Sequence, residues 1–438
     1  MVERGVLRDQ ALVALRIGLR LRIGVAHHAL RDELGIDPRP LGQRALHQQL
    51  ADTDAKQMPD AARFEQLVSH TVSGPADAGQ PYPFFLAHQL DAGVEAFDAK
   101  LGPPTDWLVE WKYDGIRAQV IKRAGTVWVW SRGEELMTDR FPEVVALAAA
   151  LPDGTVLDGE IVVWKGLGPA PFNLLQQRIG RKTLNKKVLA DAPVAFIAYD
   201  LLEWQGEDQR GQSQSARRSL LEAAVRATPG LQLSPTEQRT SWAELAALRE
   251  ESRARGVEGF MLKHVDARYG TGRTKADGTW WKWKIAPLSV DAVLIYAQAG
   301  HGRRASVYTD YTFAVWNRAP RDAAEAQAVV DAIERRVAPQ PEALQLVAFA
   351  KAYSGLTDAE FRGVDKVIRS TTVEKFGPVR SVKPSMVFEL GFEGINRSPR
   401  HKSGIAVRFP RMLRIRTDKP LHEADSMAQL EALLALAG

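Results

Sequence analysis

Three short apolar segments separated by tight turns constrain the fold of this chain most strongly. Residues 107–112, 117–122 and 126–131 are rich in aromatic and β-branched side chains, and such runs predict strands. The turns between them, at 113–115 and 123–126, each contain a glycine, which allows the backbone to reverse within a few residues. Strands joined by turns this short pair antiparallel. The segment therefore predicts an α+β fold with antiparallel sheets.

The rest of the sequence divides around this segment. With 438 residues, the chain is long enough for two to four domains at roughly 150 residues each. Residues 1–72 are predicted to be helical, and residues 73–83, rich in Gly and Pro, are predicted to be a linker. In residues 84–287 strands alternate with helices, and this region is the first predicted domain. Residues 288–438 are the second.

The second predicted domain is dominated by strands. Its predicted strands are residues 291–298, 311–316, 344–353, 386–392 and 405–409. Together with one helix at 358–368, they suit a small barrel of the oligonucleotide-binding type. An Ala-rich, charged stretch at about 318–345 is predicted to be a helical surface insert.

Composition excludes several kinds of site. The chain has no cysteine, which excludes disulfides, thiolate zinc sites and cysteine nucleophiles. The net charge is +5, and between Arg397 and Lys419 eight Lys or Arg face one acid, Asp418. This basic stripe favours a phosphate-rich partner, although a solvated surface is the commoner origin of a charge run. Without a signal peptide or an apolar run long enough for a bilayer, we expect a soluble intracellular protein.

The run from Glu110 to Arg117, Glu-Trp-Lys-Tyr-Asp-Gly-Ile-Arg, carries the clearest chemical signal. Lys112 ends an apolar strand and could be a nucleophile, which requires its free amine. Its pKa would have to be lowered by burial or by nearby cations such as Arg117 and a bound divalent metal. The alternative is a plain hairpin turn beside a lysine that extends to solvent.

The pattern Lys112-x-Asp114-Gly115-x-Arg117 resembles the first motif of the covalent nucleotidyltransferases. Six further matches follow in the order of that superfamily. They are Ser131-Arg132, Asp158-Gly159-Glu160, Tyr199-Asp200, Glu258-Gly259 with Lys263, Lys282-Trp283-Lys284, and the pair Arg408-Phe409-Pro410-Arg411 and Arg416-Thr417-Asp418-Lys419. Each short match alone is weak, but the ordered set is specific.

Within that superfamily, the C-terminal third resembles the ATP-dependent DNA ligases, with the bacterial group nearest. The carrying residues are Gly377-Pro378-Val379-Arg380, Phe388-Glu389, Glu393-Gly394, residues 398–403 and Phe409-Pro410. The resemblance implies an adenylation domain followed by an OB-fold β-barrel domain, and residues 1–72 resemble the end of a ligase DNA-binding domain. RNA ligases and capping guanylyltransferases of the same superfamily are the alternative, and a non-catalytic DNA-binding relative is a third possibility.

The resemblance also implies roles for individual residues. Lys112 would carry AMP from ATP and pass it to the 5′-phosphate of a nick in duplex DNA, in replication, repair or recombination. The implied ATP-binding residues are Glu110, Lys112, Arg117, Arg132, Glu160, Tyr199, Lys282 and Lys284. Glu160 and Glu258 would hold Mg²⁺. The implied closure and DNA phosphate contacts are Arg408, Arg411, Arg416, Asp418 and Lys419. A monomer associated with the nucleoid in the cytoplasm is expected.

Two departures from the ligase pattern stand out. The 72 residues before the linker are fewer than a whole DNA-binding domain, so the chain is either naturally short or lacks its beginning. Ala276 stands where many ligases have an arginine, and either Arg273 or Lys275 would replace it. We also expect a hinge at residues 286–291, since linkers between domains absorb rotations.

Overall fold

The computed structural model describes residues 78–166, 168–181, 183–276, 279–300 and 307–437. The chain divides into two compact units, Met1–Ile285 and Ala286–Gly438. The helices predicted for residues 1–72 and the first part of the predicted linker lie outside the described residues.

The described strands of the first unit form two sheets. The first sheet has the order β4-β3-β5-β7-β8, with β6 paired to β5 and β9 paired to β7, and the second sheet has the order β1-β12-β11-β2-β10. The strands are β1 His88–Gln89, β2 Trp107–Tyr113, β3 Ile116–Arg123, β4 Thr126–Ser131, β5 Thr155–Lys165, β6 Gly168–Pro169, β7 Val194–Trp204, β8 Glu207–Asp208, β9 Gln232–Leu233, β10 Thr236–Glu237, β11 Val257–His264 and β12 Trp280–Lys284.

The long pairings in both sheets are antiparallel, as between β3 and β5 or β2 and β11. The α+β prediction is therefore confirmed. The helices of this unit are α1 Phe97–Leu101, α2 Pro142–Ala148, α3 Phe172–Ile179, α4 Lys186–Asp191, α5 Gln214–Ala227 and α6 Trp242–Arg249. Helix α6 begins with a capping box, in which Ser241 and Glu244 each accept the backbone N–H of the other, so two otherwise unpaired donors are satisfied.

Each sheet has its own apolar core, and a third cluster joins them. The second sheet packs on α1 and α6, where the ring of Phe97 lies 4.8 Å from Trp283 and 5.4 Å from Trp242. The first sheet packs on α2, α3 and α5. A cluster that includes Ile121 of the first sheet and Trp280 of the second connects the two, so the sheets form one body around the chemistry described below.

The described end of the predicted linker is held on the first sheet. Arg123 donates to the carbonyls of residues 78 and 80 at 3.0 and 3.1 Å, and Trp130 Nε1 donates to the carbonyl of residue 79 at 2.6 Å. The Tyr82 hydroxyl donates to Glu203 Oε2 at 2.7 Å. These contacts make residues 78–83 part of the first unit's hydrogen-bonded structure.

The second unit is built on one long strand, β13. Its first half pairs with β18 and its second half with β17, while β14 runs along the other edge. The strands are β13 Leu288–Ala299, β14 Tyr308–Trp316, β15 Leu346–Ala352, β16 Thr372–Phe376, β17 Val379–Val382, β18 Val387–Phe392, β19 Gly394–Arg397, β20 Ile405–Arg408 and β21 Arg411–Ile415. The helices are α7 Ala323–Glu334, α8 Asp358–Thr371 and α9 Met427–Ala437.

The described strands of this unit do not close into a barrel, which corrects the barrel form of the OB-fold prediction. The sheet runs β15-β14-β13 and continues through β18 to β21, so closure would require a ladder between β15 and β21. Beyond the end of β15, Met412 N donates to Ser354 O at 2.9 Å. The chain then turns at Gly355, with φ 119°, where a Cβ would lie 1.9 Å from Met412 O. The described strands include no ladder between β15 and β21.

Most of the elements predicted in this unit are present. The helix predicted at 358–368 is α8, and the insert at 318–345 contains α7, which buries Ala326 and Val330. The sequence did not predict the hairpin β16–β17 or β21, because charged side chains break the apolar alternation there. Among the described residues, no helix is long and apolar enough to cross a bilayer.

Candidate active site

Lys112 lies near the end of β2, opposite a bulge in β11. Tyr113 pairs with Val257 and Trp111 pairs with Phe260, so Glu258 and Gly259 together face the single residue Lys112. A bulge of this kind re-aims a side chain relative to a regular ladder. Here it brings the Glu258 carboxylate onto the Lys112 ammonium, which donates to Glu258 Oε2.

The bulge depends on a glycine. Gly259 has φ 120°, and a Cβ at this position would lie 2.4 Å from Trp283 O on the neighbouring β12. L-residues rarely adopt that backbone conformation. The Glu258-Gly259 pair therefore has a structural explanation, since Gly259 allows the close approach of β12 that the bulge requires.

A second close approach brings in the first sheet. A Cβ on Gly115, in the turn after Lys112, would lie 2.3 Å from Ile161 O and 2.9 Å from Glu160 Cγ. The turn therefore packs directly on β5 next to Glu160. The charge of Lys112 acts on Glu160 and that of Glu160 on Lys112, so the two sheets supply the two halves of one site.

The electrostatics of Lys112 differ from those predicted. Burial acts to lower the pKa of Lys112, but the carboxylates of Glu258 and Glu160 outweigh it, and the pKa is raised. The prediction of a lowered pKa is therefore wrong for the chain alone. Acidic neighbours surround this lysine, and Arg117, which was expected to act on it, is paired elsewhere.

Arg117 belongs to a buried network with Asp158. Its Nε and Nη2 donate to the two carboxylate oxygens of Asp158 at 3.1 and 2.6 Å, and Nη1 donates to Phe85 O at 2.6 Å. The Tyr269 hydroxyl donates to Asp158 Oδ2 at 2.6 Å. The guanidinium also lies 5.8 Å from the centre of the Tyr199 ring. Arg117 thus ties β3 to β5 beside the site, apart from the lysine cluster.

Glu160 and Glu258 form a pair of neighbouring carboxylates. Burial, partly offset by Lys112 and Arg117, raises the pKa of Glu160 to about 7, and Glu258 adds to the rise. Among the described residues no group of three or more His, Cys, Asp or Glu is placed to hold a metal. Mg²⁺, however, usually takes only one or two carboxylates together with substrate phosphates and water. The neighbouring carboxylates of Glu160 and Glu258 match this ligand preference of Mg²⁺.

Five cations gather on the same side of β12. Burial lowers the pKa of Lys282, and the charges of Lys112, Arg273, Lys284 and Arg132 lower it further. Such mutual repulsion is unfavourable for the chain alone and becomes favourable when an anion lies among the cations.

The position of Lys275 distinguishes it from Arg273. The Lys275 ammonium lies 5.2 Å from the centre of the Trp281 ring, and Trp281 alternates with Lys282 along β12. Arg273 acts on Lys282 directly. Of the two residues that could replace the missing arginine, Arg273 is the one beside the lysines.

Tyr199 occupies a bulge in β7. Its neighbours Ala198 and Asp200 pair with Gly159 and Asp158, so Tyr199 is an extra residue with no partner on β5. Burial raises the pKa of its hydroxyl well above the usual value. The ring is half-buried beside Arg117, which is an arrangement that could support a stacked base.

Glu110 is buried behind this ring rather than open to it. Its Oε1 accepts from Arg218 Nη1 at 2.9 Å, and its Oε2 lies 2.5 Å from Lys263 Nζ. Sequence reasoning assigned no role to Arg218 or Tyr269 and named Asp158 only as part of a motif. Their contacts with Glu110 and Arg117 arise from the fold. Because these residues are distant along the chain, no local sequence pattern contains them.

Two of the candidate phosphate contacts in the second unit pair with Asp291. Arg416 Nη1 and Lys419 Nζ each lie 2.7 Å from Asp291 Oδ2. Arg416 also pairs with Asp418 and lowers the pKa of that carboxyl to about 2. The other two members of the predicted set, Arg408 and Arg411, lie at either end of the turn between β20 and β21.

That turn carries an exposed aromatic residue. Phe409 has φ 51° and is 62% exposed, with the Arg408 guanidinium 4.9 Å from its ring centre. Arg411 lies 3.7 Å from Glu393. The four cations of the predicted set therefore divide into a pair held by Asp291 and a pair at the turn between β20 and β21.

Known proteins resemble this chain along most of its length. The profile of the family described as "ATP dependent DNA ligase domain" matches residues 85–284. A "DNA ligase" of Haloferax volcanii is 31% identical over 454 residues, which cover 97% of this chain and 73% of that protein. A "Probable DNA ligase" of Koribacter versatilis is 33% identical over 376 residues, covering 81% of this chain and 60% of that protein.

The lengths of the relatives differ from that of this chain. The chain spans only 33% of a "Probable DNA ligase" from Opitutus terrae, to which it is 35% identical. Among solved structures, "Pmar-Lig_Pre." is 18% identical, covers 76% of this chain and 67% of its own, and has a TM-score of 0.52. At that identity the structural likeness concerns the fold alone.

Proposed function

Since the chain belongs to the family of ATP-dependent DNA ligases, we propose that it seals nicks in duplex DNA with ATP as co-substrate. The observation that carries the proposal is the arrangement around Lys112. Its amine contacts a carboxylate, a second carboxylate lies beside it, and the cations of β12 are close enough to act on it. A nucleophile, a proton acceptor and an anion site therefore converge, which is what transfer of a nucleotidyl group requires.

In the first step Lys112 Nζ attacks the α-phosphorus of ATP. A nitrogen–phosphorus bond forms, the bond from the α-phosphorus to the bridging oxygen breaks, and pyrophosphate leaves. The ammonium must first lose a proton, and Glu258 Oε2 is the acceptor that it already contacts. Lys282, Lys284 and Arg273 would bind the phosphates, because phosphoryl transfer depends on positioning and on neutralising charge.

Glu160 and Glu258 would hold Mg²⁺. When bound, the ion supplies positive charge to the phosphate oxygens and offsets the two carboxylates. Those carboxylates are the groups that raise the pKa of Lys112. The lysine would therefore lose its proton more readily in the loaded site than in the chain alone.

In the second and third steps AMP passes to the 5′-phosphate of the nick, and the 3′-hydroxyl displaces it. Arg132, which is exposed directly after β4, would contact the nick phosphate. Arg408, Arg411, Arg416 and Lys419 would contact the DNA backbone. Such contacts carry no sequence information, which suits an enzyme that must act on any nick.

We further propose that residues 286–291 form a hinge. The second unit would rotate about it to face ATP in the first step and DNA in the later steps. Asp291, at the end of this segment, holds Arg416 and Lys419, so a rotation there would carry both cations. A monomer is proposed, because one chain holds a complete candidate site for the first step.

Incubation with α-labelled ATP and Mg²⁺ tests the proposal. We expect label on the denatured protein that resists alkali, is lost in acid, and is chased into sealed strands by nicked DNA. Lys112→Arg, which retains the charge, should remain unlabelled. Label that forms only from GTP, or that passes only to RNA, would assign the chain to a different nucleotidyltransferase. Absence of label after removal of prebound AMP with pyrophosphate would reject the proposal.

A further inference from the structure

Lys263 is a buried cation to which the steps above give no part. Its side chain is 2% exposed, although burial of a lysine is unfavourable unless its charge is paired. The ammonium lies 4.3 Å from the centre of the Tyr199 ring and 4.6 Å from that of Trp280. It therefore lies close to the ring that is the candidate support for the adenine base.

The backbone at Tyr199 explains why a donor is needed there. Because Tyr199 is the extra residue of a bulge, it has no partner on β5. Lys263 Nζ donates to the Tyr199 carbonyl at 3.0 Å. A buried carbonyl without a donor is unfavourable, so this bond fixes the bulged residue where the ladder does not.

The charge of Lys263 is balanced by a chain of buried groups. Glu110 on β2 lies 2.5 Å from Lys263 on β11 and accepts from Arg218 on α5. Arg218 also donates to Ser234 O at 2.9 Å. Three elements that are distant in the sequence thereby converge behind Tyr199.

We propose that Lys263 is a positioning residue of the nucleotide site, which holds the Tyr199 ring in the orientation that stacks on the base. The inference rests on the proposed use of ATP. Two contacts carry it: the hydrogen bond to the bulged carbonyl and the cation against the ring face. A cation against an aromatic ring is attracted more strongly where water is excluded, so the contact restricts a side chain that has no ladder partner.

The test measures the first-turnover rate of lysyl-AMP formation against ATP concentration. In Lys263→Met, which keeps the length and packing of the side chain, we expect the half-saturating ATP concentration to rise about tenfold. The rate at saturation should change less than about twofold, since Lys112 and the phosphate cations are untouched. Inhibition by inorganic tripolyphosphate, which has no base, should be unchanged.

Matched variants separate positioning from general damage. Lys263→Arg retains the charge and should recover part of the ATP affinity. If Lys263→Met does not fold, Lys263→Gln, which removes the charge but keeps a polar side chain, serves in its place. Arg178 on α3 is a buried cation that pairs with Glu143 on α2, away from the nucleotide site. Arg178→Met should lower the melting temperature without changing the ATP concentration for half-saturation.

The outcomes are distinct. An unchanged ATP requirement in a folded Lys263→Met protein would overturn the inference. A parallel loss of tripolyphosphate inhibition would overturn it too, because the damage would then extend to the phosphate site. If the wild-type chain forms no lysyl-AMP, the proposed function itself fails, whatever the variants do.

Discussion

The two units use charge in opposite ways. In the first unit the charged groups of the site are buried and paired in fixed geometry, as in Arg117 with Asp158 and Lys263 with Glu110. In the second unit some cations of the basic stripe are largely exposed and pair with nearby acids, as Arg397 does with Glu431 and Arg414 with Glu389. Buried pairs are costly to break, whereas exposed pairs exchange readily for solvent or another anion. The first arrangement suits chemistry at one atom, and the second suits a long polyanion.

The largest expected effect is a loss of adenylation by the first unit while its fold is retained. Lys112→Ala should reduce adenylation by at least about 10³-fold, because Lys112 supplies the amine that attacks the α-phosphorus. The fold should persist, since the side chains of Lys112 and Glu258 are partly exposed and water can replace the lost ion pair. Adenylation is measured with labelled ATP, and folding by circular dichroism. Residual label at wild-type levels would remove Lys112 from its assigned role.

The next largest effect compares buried and exposed carboxylates directly. Asp158→Asn leaves the buried Arg117 guanidinium without its ion pair and should destabilise the protein by about 3–5 kcal/mol. Asp418→Asn, on the exposed stripe, should leave the melting temperature unchanged within error. Denaturant unfolding of both variants measures the difference. Equal losses of stability would contradict the contrast between the units.

The stability of the first unit should depend on pH through the buried carboxylate of Glu160. Its folded pKa of about 7 lies above the ordinary value of 4.5, so the folded chain binds the proton more tightly than the unfolded chain. This contribution to stability is present at acid pH and is lost as the pH rises from about 4.5 through 7. In Glu160→Gln, which cannot titrate, the fall in melting temperature over that range should be reduced. A fall as steep as that of wild type would place the titrating group elsewhere.

The smallest effect concerns a single exposed cation. Arg411→Ala should weaken binding of nicked DNA several-fold at low salt and reduce the salt slope by about 0.9, the value for one phosphate contact. Adenylation is measured separately, because a closure role of Arg411 would act in that step whereas the salt slope reports the DNA contact alone. Binding is titrated at several salt concentrations, with Arg321→Ala on the α7 insert as the control. An unchanged slope in Arg411→Ala would show that the residue does not meet a phosphate.

Sequence reasoning reached the class of the fold and the identity of the central residues, because motifs and turns are local. Lys112, Gly115 and Arg117 lie within one short run, and the strands around them follow from side-chain alternation. The bulge that brings Glu258 to Lys112 joins residues 146 positions apart, and its register depends on the whole sheet. No local pattern could predict it.

The same reason explains the residues that sequence reasoning missed or misjudged. The raised pKa of Lys112 follows from two carboxylates on different strands, which the sequence names but does not place. Arg218 reaches Glu110 across 108 positions. The open form of the second unit's sheet also depends on which strands pair across long sequence distances, and composition does not reveal this.

The attachment of residues 78–83 to the first sheet has a consequence for shortening the protein. A fragment that began at residue 84 would lack Tyr82 and the carbonyl acceptors of Arg123. Glu203 and Arg123 would remain paired at the end of the sheet but would lose the segment that covers them. The smallest fragment that folds on its own should therefore include residue 78. Limited proteolysis should find the first protected peptide bond upstream of Tyr82.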